Sequence, residues 1–324
     1  MKYIDMHCDT LMTAYRLKKK NMYEMPGMLD VKRMKQAGQM AQFFAIFMPP
    51  PDEEKRLNRD SMIDDEEYYN YCLDVLQTTI KENNKIIAQA YNANDINENE
   101  RNGRISAFLT FEDGRMINGK MENIDKFYDD GIRLITLTWN YANCFGAPNS
   151  SDMDIMNQGL TEFGKESIEY MNTKGILIDV SHLSDGGFKD VARLSKKPFI
   201  ASHSNCRELS PHQRNLTDPM IRQLANSGGV IGLNFGPQFL NSDITVKTST
   251  KELICEHILR LIDKGGIECV MLGSDLDGVD GELEINSPEK MELIFDCLAK
   301  NGISQNDIEK IAWRNAYRVI NEVL

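Results

Sequence analysis

Nowhere does the chain carry an apolar run approaching the roughly 18 residues needed to span a membrane. Its opening stretch, MKYIDMHCDTLMTAYRLKKK, is broken by polar residues before it reaches signal-peptide length. These two absences predict a cytoplasmic chain with no membrane partner. Basic residues are in the minority, 37 against 49 acidic, and the net charge of −12 argues against a nucleic-acid partner. No G-x-G-x-x-G and no G-x-x-x-x-G-K-[ST] occurs, so the glycine-rich loops that cradle dinucleotides or nucleotide phosphates are missing. The seven cysteines contain no C-x-x-C pair, which excludes finger-type zinc sites. Their odd number suits a reducing compartment better than a disulfide framework. Histidine is scarce as well, with five in 324 residues.

What is present is ordinary for a globular protein, 41% apolar and 27% charged, and the length allows one large domain. Eight short β-rich runs recur: 2–7, 40–47, 105–112, 132–139, 175–182, 198–204, 229–235 and 269–275. Between them lie segments of helical periodicity, at 66–83, 120–129, 186–195, 217–227, 251–264, 288–301 and 305–323. Another is TEFGKESIEYMNTKG, where Phe163, Ile168 and Met171 share a face and Gly175 supplies a stop. Alternation of this kind predicts an α/β fold, a (β/α)8 TIM barrel forming a single domain over residues 1–324; a doubly wound sheet is the other arrangement it allows. Long loops are expected after the second, fourth and seventh strands, at the barrel end where active sites are built.

Polar residues stand at the C-terminal ends of these strands. The first run ends in His7 and, two residues on, Asp9; alternate residues share a strand face, so both can reach one point. The third run ends in Glu112, the fifth in His182, the sixth in His203 and the eighth in Asp275. In a barrel these ends converge on one mouth. Six ligand-type residues exceed what one tetrahedral zinc needs, whereas two metals roughly 3.5 to 4 Å apart, sharing one carboxylate, would use them naturally. The expected division gives His7 and Asp9 to one metal, His182 and His203 to the other, and Glu112 to both, with Asp275 left as a proton carrier. Such a pair lowers the pKa of water and suits metal-assisted amide or peptide hydrolysis. Arg207, four residues after His203, suits bidentate capture of a substrate carboxylate, although its spacing equally allows a surface ion pair with Glu208 or Asp218.

The stretches DMHCDT, FEDG, GLTEFGKESIEYMNTKGILIDVSH, FIASHSNCREL and GSDLDG, in this order, resemble the membrane dipeptidase (renal dipeptidase) family of metallopeptidases, within the metal-dependent amidohydrolase superfamily. The resemblance spans nearly the whole chain. It implies a (β/α)8 barrel with a binuclear zinc centre, two Zn2+ per chain, that hydrolyses free dipeptides and often accepts a D-residue at the C-terminal position. It implies His7, Asp9, Glu112, His182 and His203 as zinc ligands, with Glu112 bridging, Arg207 as the carboxylate-binding residue and Asp275 as the strand-eight aspartate. It also implies a possible homodimer. One departure stands out. Well-known members carry a substrate-contacting histidine after strand four, in LTH, where this chain has Trp139 in LTWN. An indole donates one hydrogen bond and cannot exchange a proton near neutral pH, so Asn140 or Asn143 is expected to supply the missing donor. Barrel loops change substrate more readily than ligands, so an amidohydrolase acting on N-acyl amino acids or lactones is the alternative enzyme. A non-catalytic binding protein on the same scaffold is the alternative outside enzymes.

Two histidines are set apart from the site. His257 lies within ELICEHILRLI and is expected to pack in a helix, and His212 is expected to cap the loop after strand six. Cys8 should face away from His7 and Asp9.

Overall fold

In the computed structural model of this chain, residues 1–49 and 64–324 are described. The strands are β1 (Ile4–Cys8), β2 (Ala41–Phe47), β3 (Ile87–Gln89), β4 (Ile105–Glu112), β5 (Ile132–Thr136), β6 (Leu177–Asp179), β7 (Ile231–Leu233), β8 (Thr248–Ser249), β9 (Val270–Leu272) and β10 (Glu282–Leu283). The main sheet runs β6-β5-β4-β2-β1-β9-β7 with every pair parallel. The expected sixth strand, 198–204, makes only isolated bridges, Ile200 to Asp179 and Ala201 to Ile231, but these join β6 to β7 and close the barrel. Its shortness has a cause. The Ser202 carbonyl comes so near Gly232 and Gly273 that a Cβ on either would lie within 1.9 Å of it. The Ser202 N–H goes to the Asp179 carboxylate instead of to a neighbouring strand.

All seven residues of β2 and all eight of β4 are buried, as parallel strands covered on both faces require. The barrel interior is layered. Its floor is apolar, with Ile4, Met6, Phe43, Phe108, Leu134, Leu177, Ile200 and Met271 packed on the C-terminal helix Asn315–Val323. Phe43 and Phe108 stack with centroids 4.4 Å apart. Two residues further along the strands come Thr110, Thr136, Asp179 and Ser202, and above them the ligand-type residues. In β1 the pairing register slips between Asp5 and Cys8. The bulge re-aims the chain, so that Ile4 and Met6 face the floor while His7 faces the mouth.

Several expectations are corrected. β5, β6 and β9 each end three residues before the expected limits, so Trp139, His182 and Asp275 stand on the turns that follow them. β3 pairs with the first half of β4, whose second half pairs with β5, and was not expected. Nor were the helices Thr10–Arg16, Val31–Gln36 and Ala93–Arg101. The last helix is interrupted by a π turn at Lys310–Arg314. The helix Glu162–Lys174 is capped by Thr161 and ended by Gly175 at φ 78°, as its sequence predicts. Most of the loop expected after β2 lies at 50–63, outside the described residues. Among the described residues, no helix is long and apolar enough to cross a membrane.

Candidate metal centre

The C-terminal ends of β1 and β4 and the turns leaving β1, β6, the 200–201 segment and β9 bring His7, Asp9, Glu112, His182, His203 and Asp275 together. His7 Nε2 lies 3.4 Å from Glu112 Oε2, 3.8 Å from Asp9 Oδ2 and 3.6 Å from Asp275 Oδ1. His182 Nε2 lies 3.0 Å and His203 Nε2 3.3 Å from the other carboxylate oxygen, Glu112 Oε1. Two overlapping triads, His7–Glu112–His203 and His7–Asp9–Asp275, offer ligand atoms within 4.8 Å of one another. Glu112 thus turns one oxygen to each side of the cluster.

These residues fit divalent cations on their own chemistry. His182 Nδ1 donates to Asn140 Oδ1 at 2.9 Å. Ser202 Oγ gives its hydrogen to Asp179, so it accepts from His203 Nδ1 at 2.7 Å. Both imidazoles therefore aim bare Nε2 lone pairs at each other, 3.1 Å apart, and at Glu112 Oε1. Acceptors converging in this way need a cation between them. Neither ring nitrogen of buried His7 has a hydrogen-bond partner, which is likewise costly without a ligand to bind. Gly278 completes the cradle, since a Cβ there would lie 2.0 Å from Asp9 Oδ2 and 2.3 Å from Asp275 Oδ1.

Electrostatics agree. Burial, helped by the charge of Arg214, holds the His182 pKa down to about 3. Burial, His7 and Arg214 hold His203 well below its ordinary value. Both rings are thus neutral, the form that coordinates metal. At His7 burial also lowers the pKa, but Glu112 and Asp9 outweigh it and raise it, a sign of how strongly the site attracts positive charge. Glu112 is pushed up by burial but held well below the carboxylate range by His7, His182 and His203. Asp275 is pushed up by burial and by Asp9 and Glu112, against the pull of His7, and its Oδ2 accepts from Asn234 Nδ2 at 2.7 Å. His182 (φ 67°) and Asp275 (φ 60°) both sit in the left-handed region, strain of the kind stored at functional sites.

The cluster floors a cleft of about 130 Å³, walled by Met12, Phe47, Trp139 and Val279. Trp139 packs edge-on against Phe47 at 4.9 Å. An adjoining hollow of about 400 Å³ is lined by Asn140, Asn149, His182, His212, Arg214 and Phe239, among others. Asn140 therefore borders both spaces while orienting His182. Asn143 turns away, its Nδ2 bonding Asp113 and the Leu137 carbonyl. His212 caps its loop as expected, accepting from the Arg214 N–H, and His257 is buried in its helix.

Arg207 is a correction. Its guanidinium forks onto Asp185 at 2.7 and 2.8 Å and bonds the carbonyls of Gln213 and Asn215, and the residue lines neither the cleft nor the hollow. Arg214, on the same loop, lines the larger hollow. It is 6% exposed, bonds the Ser204 hydroxyl at 3.0 Å and the His203 carbonyl at 2.9 Å, and leaves Nε without a partner. It was missed because both arginines follow His203 on one loop. The signal lay in how that loop folds: Leu216 bridges back to Cys206, which returns Arg214 over His203.

The sequence pattern of membrane dipeptidases, peptidase family M19, matches residues 1–324. The chain is 27% identical over 305 residues to the dipeptidase tcpJ of Claviceps purpurea, covering 93% of this chain and 70% of that protein. Among solved structures it resembles a metallopeptidase from Rhodobacter sphaeroides bound to a phosphinate mimic of L-Ala-D-Ala, with a TM-score of 0.88, 26% identity and coverage of 100% and 99%. It also resembles an M19 metallopeptidase called dipeptidase AC, with a TM-score of 0.85, 25% identity and coverage of 100% and 98%.

Proposed function

The chain belongs to the membrane dipeptidase family, peptidase family M19, and from that premise we propose that it is a binuclear-zinc dipeptidase cleaving free dipeptides, including those with a D-residue at the C-terminal position. The observation that carries this reading is the division of the Glu112 carboxylate. Its Oε2 faces His7, near Asp9 and Asp275, while its Oε1 faces His182 and His203. A relative's binding of an L-Ala-D-Ala mimic supports tolerance of the D-residue.

Divalent ions held by these residues would polarise the scissile carbonyl and lower the pKa of the attacking water. The chain's own side chains do the rest. Arg214, a buried cation with no carboxylate forked onto it, captures the substrate's C-terminal carboxylate from the larger hollow. Asp275, whose pKa burial raises so that its carboxylate is the more basic, takes the proton of the attacking water and returns it to the leaving nitrogen. Trp139 and Phe47 face the side chain of the first residue.

The test is amino-acid release by zinc-loaded protein from free, C-amidated and N-acylated dipeptides. Turnover of free dipeptides, lost on C-amidation, is expected. Turnover of N-acyl amino acids or lactones in preference to free dipeptides would overturn the reading in favour of another amidohydrolase activity.

A further inference from the structure

We propose that Asp179 is a positioning residue for the metal centre, acting through the Ser202 hydroxyl on the ring of His203 and through two backbone N–H groups on the turns that present His182 and His203. The inference rests on His203 being a metal ligand. Asp179 stands at the end of β6, wholly buried. Its Oδ2 accepts from Thr136 Oγ1 and Ser202 Oγ, each at 2.6 Å. Its Oδ1 accepts from the N–H groups of Ser202 at 2.8 Å and Ser181 at 3.0 Å. Four donors saturate the carboxylate, so it has no lone pair to offer a metal ion. A buried carboxylate without an ion pair is a costly element of any core. Three of its four donors come from Ser181 and Ser202, the residues immediately before the two histidines.

Two consequences follow from this geometry. The Ser202 hydrogen is committed to Asp179, so the hydroxyl can only accept from His203 Nδ1, which fixes the tautomer with a bare Nε2 facing Glu112. Partners of this kind raise a ligand's basicity and fix its ring. Second, Ser181 is pinned just ahead of His182, whose left-handed backbone would otherwise relax, and Ser181 Oγ accepts from the His203 N–H at 3.2 Å. One carboxylate thereby ties both histidine-bearing turns together. Asp5 repeats the device across the mouth, accepting from the Ser274 N–H at 2.9 Å and hydroxyl at 2.5 Å just before left-handed Asp275.

The test measures zinc affinity of the full chain by competition with a chromophoric chelator, together with the absorption spectrum of the cobalt-loaded protein. Ser202→Ala removes the link to the ring and leaves the other contacts of Asp179 in place. It should weaken zinc binding by about 10- to 100-fold and alter the cobalt spectrum, with little change in the melting temperature of metal-free protein. Ser202→Thr, which restores a hydroxyl, should recover most of the affinity, and Asp179→Asn should resemble Ser202→Ala. Wild-type zinc affinity in Ser202→Ala, or a Ser202→Thr variant as impaired as Ser202→Ala, would overturn the proposal while leaving the metal reading intact. If the wild-type chain takes up no zinc, the metal reading itself fails and this proposal with it.

Discussion

Replacing Arg214 by methionine should weaken catalysis and strengthen the fold at once. The methionine keeps most of the apolar stem and deletes a guanidinium that burial holds down to a pKa of about 10 from 12.5. That shift corresponds to roughly 3 kcal/mol against the charged form. The variant leaves two acceptors behind, the Ser204 hydroxyl and the His203 carbonyl, each costing about 1 kcal/mol. The balance is a gain of about 1 kcal/mol in unfolding free energy, readable in urea titrations. In turnover, loss of a charge-assisted contact to the substrate carboxylate, worth about 1.5 to 3 kcal/mol, should lower kcat/KM for free dipeptides by about 10- to 200-fold. The difference between free and C-amidated dipeptides should shrink by the same factor. Arg207→Met, which breaks the fork to Asp185 and the bonds to the Gln213 and Asn215 carbonyls, should leave that discrimination in place. Unchanged kcat/KM in Arg214→Met, or a collapse of discrimination in Arg207→Met alone, would refute the reasoning.

Other perturbations have equally definite outcomes. Gly278→Ala places a methyl against the carboxylates of Asp9 and Asp275 and should reduce bound zinc, measured by elemental analysis, together with activity. His257 accepts from the Cys206 N–H at Nδ1 and faces the Leu240 carbonyl at 3.0 Å through Nε2, which locks it neutral. Burial lowers its pKa from 6.5 to about 4. The unfolded chain therefore takes up this proton first. Its contribution to stability is fully present above pH 6.5 and is lost as pH falls to 4, by about 3 kcal/mol. His257→Asn should flatten that part of the stability curve, and an unchanged slope would contradict the assignment. Trp139→Ala opens the apolar wall, so kcat/KM should fall about tenfold more for dipeptides with a large apolar first residue than for those beginning with alanine; an equal loss for both would argue against that wall as a subsite.

Much of this was legible in the chain because the barrel writes its interior in steps of two. Phe108, Thr110 and Glu112 on one strand pass from floor to mouth, and Leu177 leads to Asp179 in the same way. Glu112, His182, His203 and Asp275 could therefore be placed at one end of a fold from spacing alone. His7 and Asp9 reach the same place for a less visible reason, since a bulge in β1 re-aims them after Met6. Long-range pairings were not legible. Asp185, on the helix after the neighbouring strand β6, claims Arg207, and the Cys206 to Leu216 bridge, not the distance in sequence from His203, sets where Arg214 lies. The roles of Asp5 and Asp179 were hidden because a buried aspartate reads locally as an interruption of an apolar strand. Strand ends were overestimated for the same cause: side-chain carboxylates take N–H groups that a ladder would otherwise hold.

The most direct test of the central claim is to titrate metal-free protein with zinc while measuring alanine released from L-Ala-D-Ala. Turnover should be absent without metal, rise with added zinc and level off at two equivalents per chain. Protein carrying two zinc ions that releases no alanine, or turnover that does not depend on zinc, would contradict it.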